Sequence, residues 1–266
     1  MSSMVVFTDL DGCFLNDDYT YQESLPALNL LKSNEIPVVL VSSKTEAEMS
    51  PLVQALELDS PFVCENGGVI SWSQSGGDSS ESRTILGVPR LEILNVLATL
   101  KQEFAFRSFS DLGVQGISDL TGLDPERADW AAQRFTNEPL VWDDDETRID
   151  DFRQRVETAG MTLTRGGRFW HVAGPVDKGL GVKQVFQRCY QSEAKPLTVS
   201  VGDSPIDLPM LRQTDVAIVI PQPSNDFRLA LDHPRTYRAA HPGARGWAEG
   251  ISRVLEDYYF NGKYHG

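Results

Sequence analysis

Asp9 and Asp11 stand two residues apart at the end of the apolar run Val5-Val6-Phe7-Thr8, and Gly12 follows at once. A short β-prone run stopped by a turn residue reads as a buried strand. Two carboxylates this close are costly unless a cation or a proton lies between them. The pair therefore suits a divalent metal, a phosphate or both; an ordinary Asx-rich turn after a strand is the plain alternative.

Three further groups fit the same chemistry. Val38-Val39-Leu40-Val41 ends in Ser42-Ser43-Lys44, and Leu197-Thr198-Val199-Ser200-Val201 ends in Gly202-Asp203, with Asp207 four residues on. Asp177-Lys178-Gly179 precedes a helical stretch. Open parallel α/β sheets bind ligands outside the carboxyl ends of their strands. Asp9, Asp11, Ser42 and Asp203 would all be delivered to that edge, with Lys178 beside them. Asp207 lies one helical turn from Asp203 and can face the same place.

The order Asp-x-Asp, Ser, Lys, Gly-Asp-x-x-x-Asp resembles the four-motif signature of the haloacid dehalogenase-like (HAD) phosphatase superfamily. That resemblance implies a parallel-sheet, Rossmann-like α/β core. It implies Asp9 as the nucleophile on phosphorus, Asp11 as general acid and then base, and Ser42 and Lys178 as donors to the phosphoryl oxygens. Mg²⁺, a hard ion that prefers oxygen, is the implied cofactor. Its site would draw on the side chains of Asp9 and Asp203 and the backbone carbonyl of Asp11. Asp207 would belong to that metal site too, as a ligand or by orienting Lys178 or the metal's water.

The stretch between Ser42 and Lys178 is long enough for an inserted α+β cap of the type called C2. Ser42-Ser43-Lys44-Thr45, Glu65-Asn66-Gly67-Gly68, Arg134 to Leu140, Gly166-Gly167-Arg168-Phe169-Trp170-His171 and Gly202 to Leu211 are similar to the mannosyl-3-phosphoglycerate phosphatase family. This resemblance covers nearly the whole chain and implies hydrolysis of mannosyl-3-phosphoglycerate to mannosylglycerate, a compatible solute. Such a substrate carries a carboxylate and a sugar besides its phosphate. Arg134 and Arg168 suit the carboxylate through bidentate bonds. Glu65 and Asn66 suit sugar hydroxyls, His171 either group, and Ser43, Lys44 and Gly67 complete the expected binding set. The bland alternatives are an i,i+4 pair of Arg134 with Glu138 and a hydrogen-bonded strand histidine at 171. Cys13 and Phe14 replace the family's usual Thr-Leu, and Ile206 replaces a frequent Asn. A glucosyl-3-phosphoglycerate or another small sugar phosphate is the near alternative substrate. A sugar phosphomutase would show dependence on a sugar bisphosphate; a silent binding protein would not need the intact set of acids and lysine.

These groups need elements to hold them. Strands are expected near 5–9, 37–42, 61–64, 69–72, 197–201 and 216–220, with helices near 24–34, 45–57, 179–192, 206–213 and 245–259. That alternation argues for a parallel sheet. Residues 87–172 break it. A helix at 89–103 carries Leu91, Leu94, Leu97 and Leu100 at core spacing, and a helix-like turn ends near Gly122. Asp124-Pro125 opens another helix. Strands near 139–142, 161–165 and 168–172 flank a helix at 146–159. The expected division is a core of 1–86 and 173–266 with a cap at 87–172. Ser73 to Ser80 reads as a polar loop.

Composition narrows the partners. The 266 residues carry a formal charge of −14, with 41% hydrophobic and 23% charged residues. That is ordinary for a globular protein. It argues against non-specific nucleic-acid binding and against an anionic membrane surface. An anionic small molecule must then meet local cations, a metal or helix ends. Asp143-Asp144-Asp145-Glu146 reads as a solvated turn. Three cysteines without metal spacing suggest reduced thiols and a cytoplasmic setting. The sequence leaves the oligomeric state open.

Overall fold

The computed structural model describes residues 4–72, 82–166, 168–192 and 195–261. The expected polar loop at 73–80 lies outside them.

Five parallel strands form the main sheet: β1 (Met4–Thr8), β2 (Val38–Leu40), β10 (Leu197–Gly202), β11 (Val216–Val219) and β12 (Thr236–Arg238). Their order is β12-β11-β10-β1-β2. The chain runs from β1 to β2 on one side and returns through β10 on the other, so the order reverses at β1. That reversal opens a crevice at the carboxyl ends of β1 and β10, where doubly wound sheets bind ligands. Every residue of β1 and β10 is buried, as befits strands covered on both faces. Helices α1 (Leu25–Ser33), α2 (Glu46–Ala55), α7 (Lys178–Val185), α8 (Leu208–Leu211) and α9 (Gly243–Val254) complete this unit. A small antiparallel sheet, β3 (Phe62–Cys64), β4 (Val69–Ser71) and β5 (Arg83–Ile85), continues it through a parallel bridge from Val41 to Val63.

A separate four-stranded antiparallel sheet has the order β6-β7-β9-β8. Its strands are β6 (Phe106–Ser108), β7 (Asn137–Trp142), β8 (Thr162–Arg165) and β9 (Trp170–Ala173). Helices α3 (Arg90–Leu100), α4 (Phe109–Thr121), α5 (Pro125–Ala132) and α6 (Ile149–Thr158) accompany it. Ile93, Leu97, Phe104, Phe106, Phe152, Val156 and Val172 form a core of its own. The chain is thus a parallel-sheet α/β core with an inserted α+β cap.

Local signals explain most boundaries. Thr45 accepts from the Glu48 amide while Glu48 reaches back to Thr45, a capping box that starts α2. Asp124 caps α5 with Pro125 at its first position, and Gly122 ends α4 at φ 76°. Asp145 caps the short turn at 146–148, while Asp143 pairs with Arg107 and Asp144 with Arg148. The face of α3 differs from expectation: Leu91 is 70% exposed, and Ile93 takes the core position with Leu97 and Leu100. Strands β5 and β12 were not expected. Each has only three residues with partly exposed sides, so neither shows a buried apolar run. Among the described residues, no helix is long and apolar enough to cross a membrane.

Candidate active site

Asp9 follows β1 directly, and its amide bonds the Val201 carbonyl of β10. Thr8 Oγ1 donates to the Asp9 carbonyl at 2.8 Å and accepts from Trp247 Nε1 at 2.8 Å. Trp247, fully buried on α9, therefore fixes the backbone that carries Asp9. The chain then turns: the Cys13 and Leu15 amides both return to the Leu10 carbonyl. Gly12 has φ +78°, and a side chain there would stand 3.1 Å from Asp203 Oδ2. Glycine at this point lets the turn lie against Asp203.

Lys178 opens α7, behind the N-cap Asp177. Its ammonium is 1% exposed and lies 2.5 Å from Asp9 Oδ1 and 2.6 Å from Asp207 Oδ1. Asp207 Oδ2 accepts from the Asp203 and Ser204 amides and from Ser204 Oγ. It thus ties Lys178 to the turn that bears Asp203. Asp203 Oδ2 accepts from Gln222 Nε2 at 2.7 Å. Ile206 lines the cavity, and an amide reaches Asp203 from Gln222 instead. Ser42 is fully buried at the end of β2, and its Oγ accepts from the Lys44 amide.

The electrostatics are those of a site with excess negative charge. Burial raises the Asp9 carboxyl well above its ordinary range; Lys178 opposes this, and Asp207, Asp203 and Asp11 add to it. Burial, then Asp207, pushes Asp203 up to about 7. Burial works to lower the Lys178 ammonium, but Asp207 and Asp9 outweigh it and hold it charged. Asp9, Asp203 and Cys13 place ligand atoms within 4.8 Å of one another. Burial raises the Cys13 thiol well above normal, so it stays protonated and is a poor ligand for a hard ion.

A cavity of about 950 Å³ runs from these acids to the cap. Asp9, Asp11, Asp203, Ser43, Lys44 and Asn66 line it from the core, and Arg134, Arg168 and His171 from the cap. Lys44 Nζ lies 2.9 Å from Asp11 Oδ1 and 4.7 Å from the centre of the Tyr19 ring. Burial works to lower Lys44, but Asp11, Glu48 and Tyr19 leave it raised. Arg168 is exposed, and among the described residues it spends one bond on the Thr121 carbonyl, with most of its fork unengaged there. Arg134 is 6% exposed and spans the seam: it donates to Ala131 O and Asn137 Oδ1 in the cap and to Ser43 O in the core. The alternative pair of Arg134 with Glu138 does not form; Arg90 takes Glu138 at 2.7 Å. His171 is not the hydrogen-bonded strand histidine either, since its buried Nδ1 has no partner among the described residues. Burial, then Arg134 and Arg165, push its pKa down to about 3. The buried Oδ1 of Asn66 is likewise unpartnered among the described residues.

Two expected binding residues serve the scaffold. Glu65 is fully buried, and its carboxylate accepts from the amides of Phe135, Thr136 and Asn137 and from Thr136 Oγ1. Both oxygens are engaged and the side chain does not line the cavity; Glu65 joins core to cap. Glu65, Asn66 and Gly67 have φ of 50°, 56° and 99°, a left-handed run that costs about 1–3 kcal/mol at each non-glycine residue. The three amide bonds to Glu65 offset that strain. A side chain at Gly67 would stand 1.9 Å from the Asp177 carbonyl, so Gly67 makes room for the turn that delivers Lys178.

Tyr19, Gln222 and Arg228 line the cavity without having been expected there. The sequence signal for Gln222 is its place between Pro221 and Pro223; Tyr19 and Arg228 carry none.

A haloacid dehalogenase-like hydrolase family model matches residues 6–233. The chain belongs to this family. It is 36% identical to a glucosyl-3-phosphoglycerate/mannosyl-3-phosphoglycerate phosphatase of Persephonella marina, covering 96% of this chain and 98% of that one. It is 33% identical to a protein of the same name from Methanococcoides burtonii, over 94% and 97% of the two chains. A haloacid dehalogenase-like hydrolase structure from Bacteroides thetaiotaomicron superposes with a TM-score of 0.67 at 16% identity, covering 95% of this chain and 99% of that one. The chain is accordingly an enzyme, a phosphoric monoester hydrolase.

Proposed function

We propose that this enzyme removes the phosphate from a glycosyl-3-phosphoglycerate, mannosyl or glucosyl, through a phosphorylated Asp9. The observation that carries the reading is Asp9, held by the buried Lys178–Asp207 pair, opening on a cavity that is also lined by Arg168 and by His171, whose Nδ1 has no partner among the described residues. The names of the two relatives above support the substrate.

The donor set fits a hard divalent cation such as Mg²⁺. Asp9 and Asp203 offer carboxylate oxygens, both are raised by burial and by neighbouring carboxylates, and the adjacent thiol stays protonated. The carbonyl of Asp11 would join them. When bound, the ion would neutralise phosphoryl charge and favour ionised Asp9.

Asp9 attacks phosphorus while Asp11 gives a proton to the departing glycerate oxygen. Asp11 then takes a proton from the water that frees Asp9. Lys178 and Ser42 donate to the phosphoryl oxygens, Lys178 from its place beside Asp9. Lys44 and Arg168 take the glycerate carboxylate. Neutral His171 and Asn66 Oδ1 suit sugar hydroxyls, and the lowered pKa of His171 favours the sugar over the carboxylate for that residue. Phosphate release with Mg²⁺ from mannosyl- and glucosyl-3-phosphoglycerate, 3-phosphoglycerate and mannose phosphates tests the reading. A kcat/KM preference for a glycosyl-phosphoglycerate supports it; equal, slow release from all of them refutes the substrate class.

A further inference from the structure

Asp203 lies beside the like charges of Asp207 and Asp9, yet among the described residues no side chain but Gln222 donates to its carboxylate. The loop presenting Gln222 is braced. The Ile220 amide bonds the Gly202 carbonyl, which pins the end of β11 to the residue before Asp203. The Gln222 amide bonds Asp226 O, and its carbonyl accepts from the Asn225 amide. Pro221 and Pro223 flank it and restrict the backbone on either side. The primary amide therefore arrives already aimed, 2.7 Å from Asp203 Oδ2. A side chain at Gly12 would crowd the same oxygen at 3.1 Å, so the glycine leaves Gln222 and Asp203 their room.

We infer that Gln222 is a positioning residue, which fixes the Asp203 carboxylate in its cation-binding orientation. This rests on the proposed role of Asp203 as a metal ligand. Removing a partner that orients a metal ligand commonly costs about 10–100-fold in metal affinity.

The test uses Mn²⁺ as a spectroscopic probe on the full-length, substrate-free enzyme, with Gln222→Met, which keeps length and apolar packing but removes the donor, and Gln222→Ala. Binding is read by electron paramagnetic resonance and calorimetry, and folding by melting in EDTA. The expected result is one Mn²⁺ site in the wild type, weakened about tenfold or more in both variants, with melting in EDTA not lowered. In turnover, the Mg²⁺ concentration for half-maximal rate rises, while KM for the phosphoester at saturating Mg²⁺ stays near that of the wild type. Wild-type affinity in Gln222→Met, with an intact Mn²⁺ site in the parent, overturns the inference. Absence of a Mn²⁺ site in the parent overturns the metal reading itself. A general fall in EDTA melting temperature with unchanged Mn²⁺ affinity in the folded variants assigns Gln222 a merely structural part and also overturns it.

Discussion

Replacing Asp203 by Asn should make the metal-free enzyme more stable, by an amount that grows with pH. Asp203 sits 6% exposed with its pKa pushed up to about 7, against 3.8 ordinarily. The folded state thus holds this proton more tightly than the unfolded chain. Its contribution is fully present below the ordinary carboxylate range and is lost as pH rises towards 7. At about 1.4 kcal/mol per pH unit, the loss reaches about 4 kcal/mol between pH ~4 and ~7. Asp9, raised in the same direction, gains relief when its neighbour becomes neutral. Asn keeps an oxygen for Gln222 Nε2, so the local hydrogen bond survives. Asp111, Asp143, Asp144, Asp145 and Asp215 are held low and cost stability as pH falls, but equally in both proteins. Thermal melts in EDTA from pH 4 to 8 should nearly coincide at pH 4. By pH 8 Asp203→Asn should melt roughly 8–15 °C higher, taking about 2–4 °C per kcal/mol. Saturating Mg²⁺ should raise the wild type, by about 2.7 kcal/mol at a hundredfold excess over Kd, and leave the variant nearly unmoved. A pH-independent difference, or a wild type more stable than the variant in EDTA at pH 8, would refute the electrostatic account.

Other expectations follow from single contacts. Lys178→Met leaves Asp9 and Asp207 buried without their cation; urea unfolding at pH 8 should show a loss of about 3–5 kcal/mol together with loss of turnover. Glu65→Ala strands two buried amides, of Thr136 and Asn137, and the half-buried one of Phe135 at the core–cap joint. At about 1–3 kcal/mol each, it should be among the most destabilising changes at the seam, and hydrogen exchange at 135–137 should rise. His171→Phe should raise KM for the glycosyl substrate about 2–10-fold, the worth of one net hydrogen bond, and leave KM for 3-phosphoglycerate nearly unchanged. Because His171 titrates near 3, its effect on KM should be flat from pH 5 to 9; a step near pH 6.5 would show that the imidazole is charged in use.

The core was legible because its signals are local and strong. Val5–Thr8, Val38–Val41 and Leu197–Val201 are buried runs ending in polar groups, and a parallel sheet carries such ends to one edge. Thr45, Asp124 and Gly122 mark helix ends through capping chemistry that acts within a few residues. The cap joint was not legible. Glu65 looked free to bind a sugar, since nothing in its neighbourhood names the amides of 135–137 as its partners. Arg134 and Glu138 have helical spacing but stand at the end of α5 and within β7, so they never share a helix face. Leu91 keeps the leucine spacing of α3, yet the cap sheet faces Ile93. Gln222 reaches Asp203 from another strand's loop, a relation fixed by strand order and invisible to periodicity.

The central claim is that substrate phosphorylates Asp9. Rapid acid quench of enzyme mixed with Mg²⁺ and a glycosyl-3-phosphoglycerate, followed by peptide mass spectrometry, addresses it directly. The account predicts transient phosphate on the peptide bearing Asp9, absent in Asp9→Asn, which should also fail to turn over. Turnover by Asp9→Asn near the wild-type rate, or phosphate on a different residue, would contradict it.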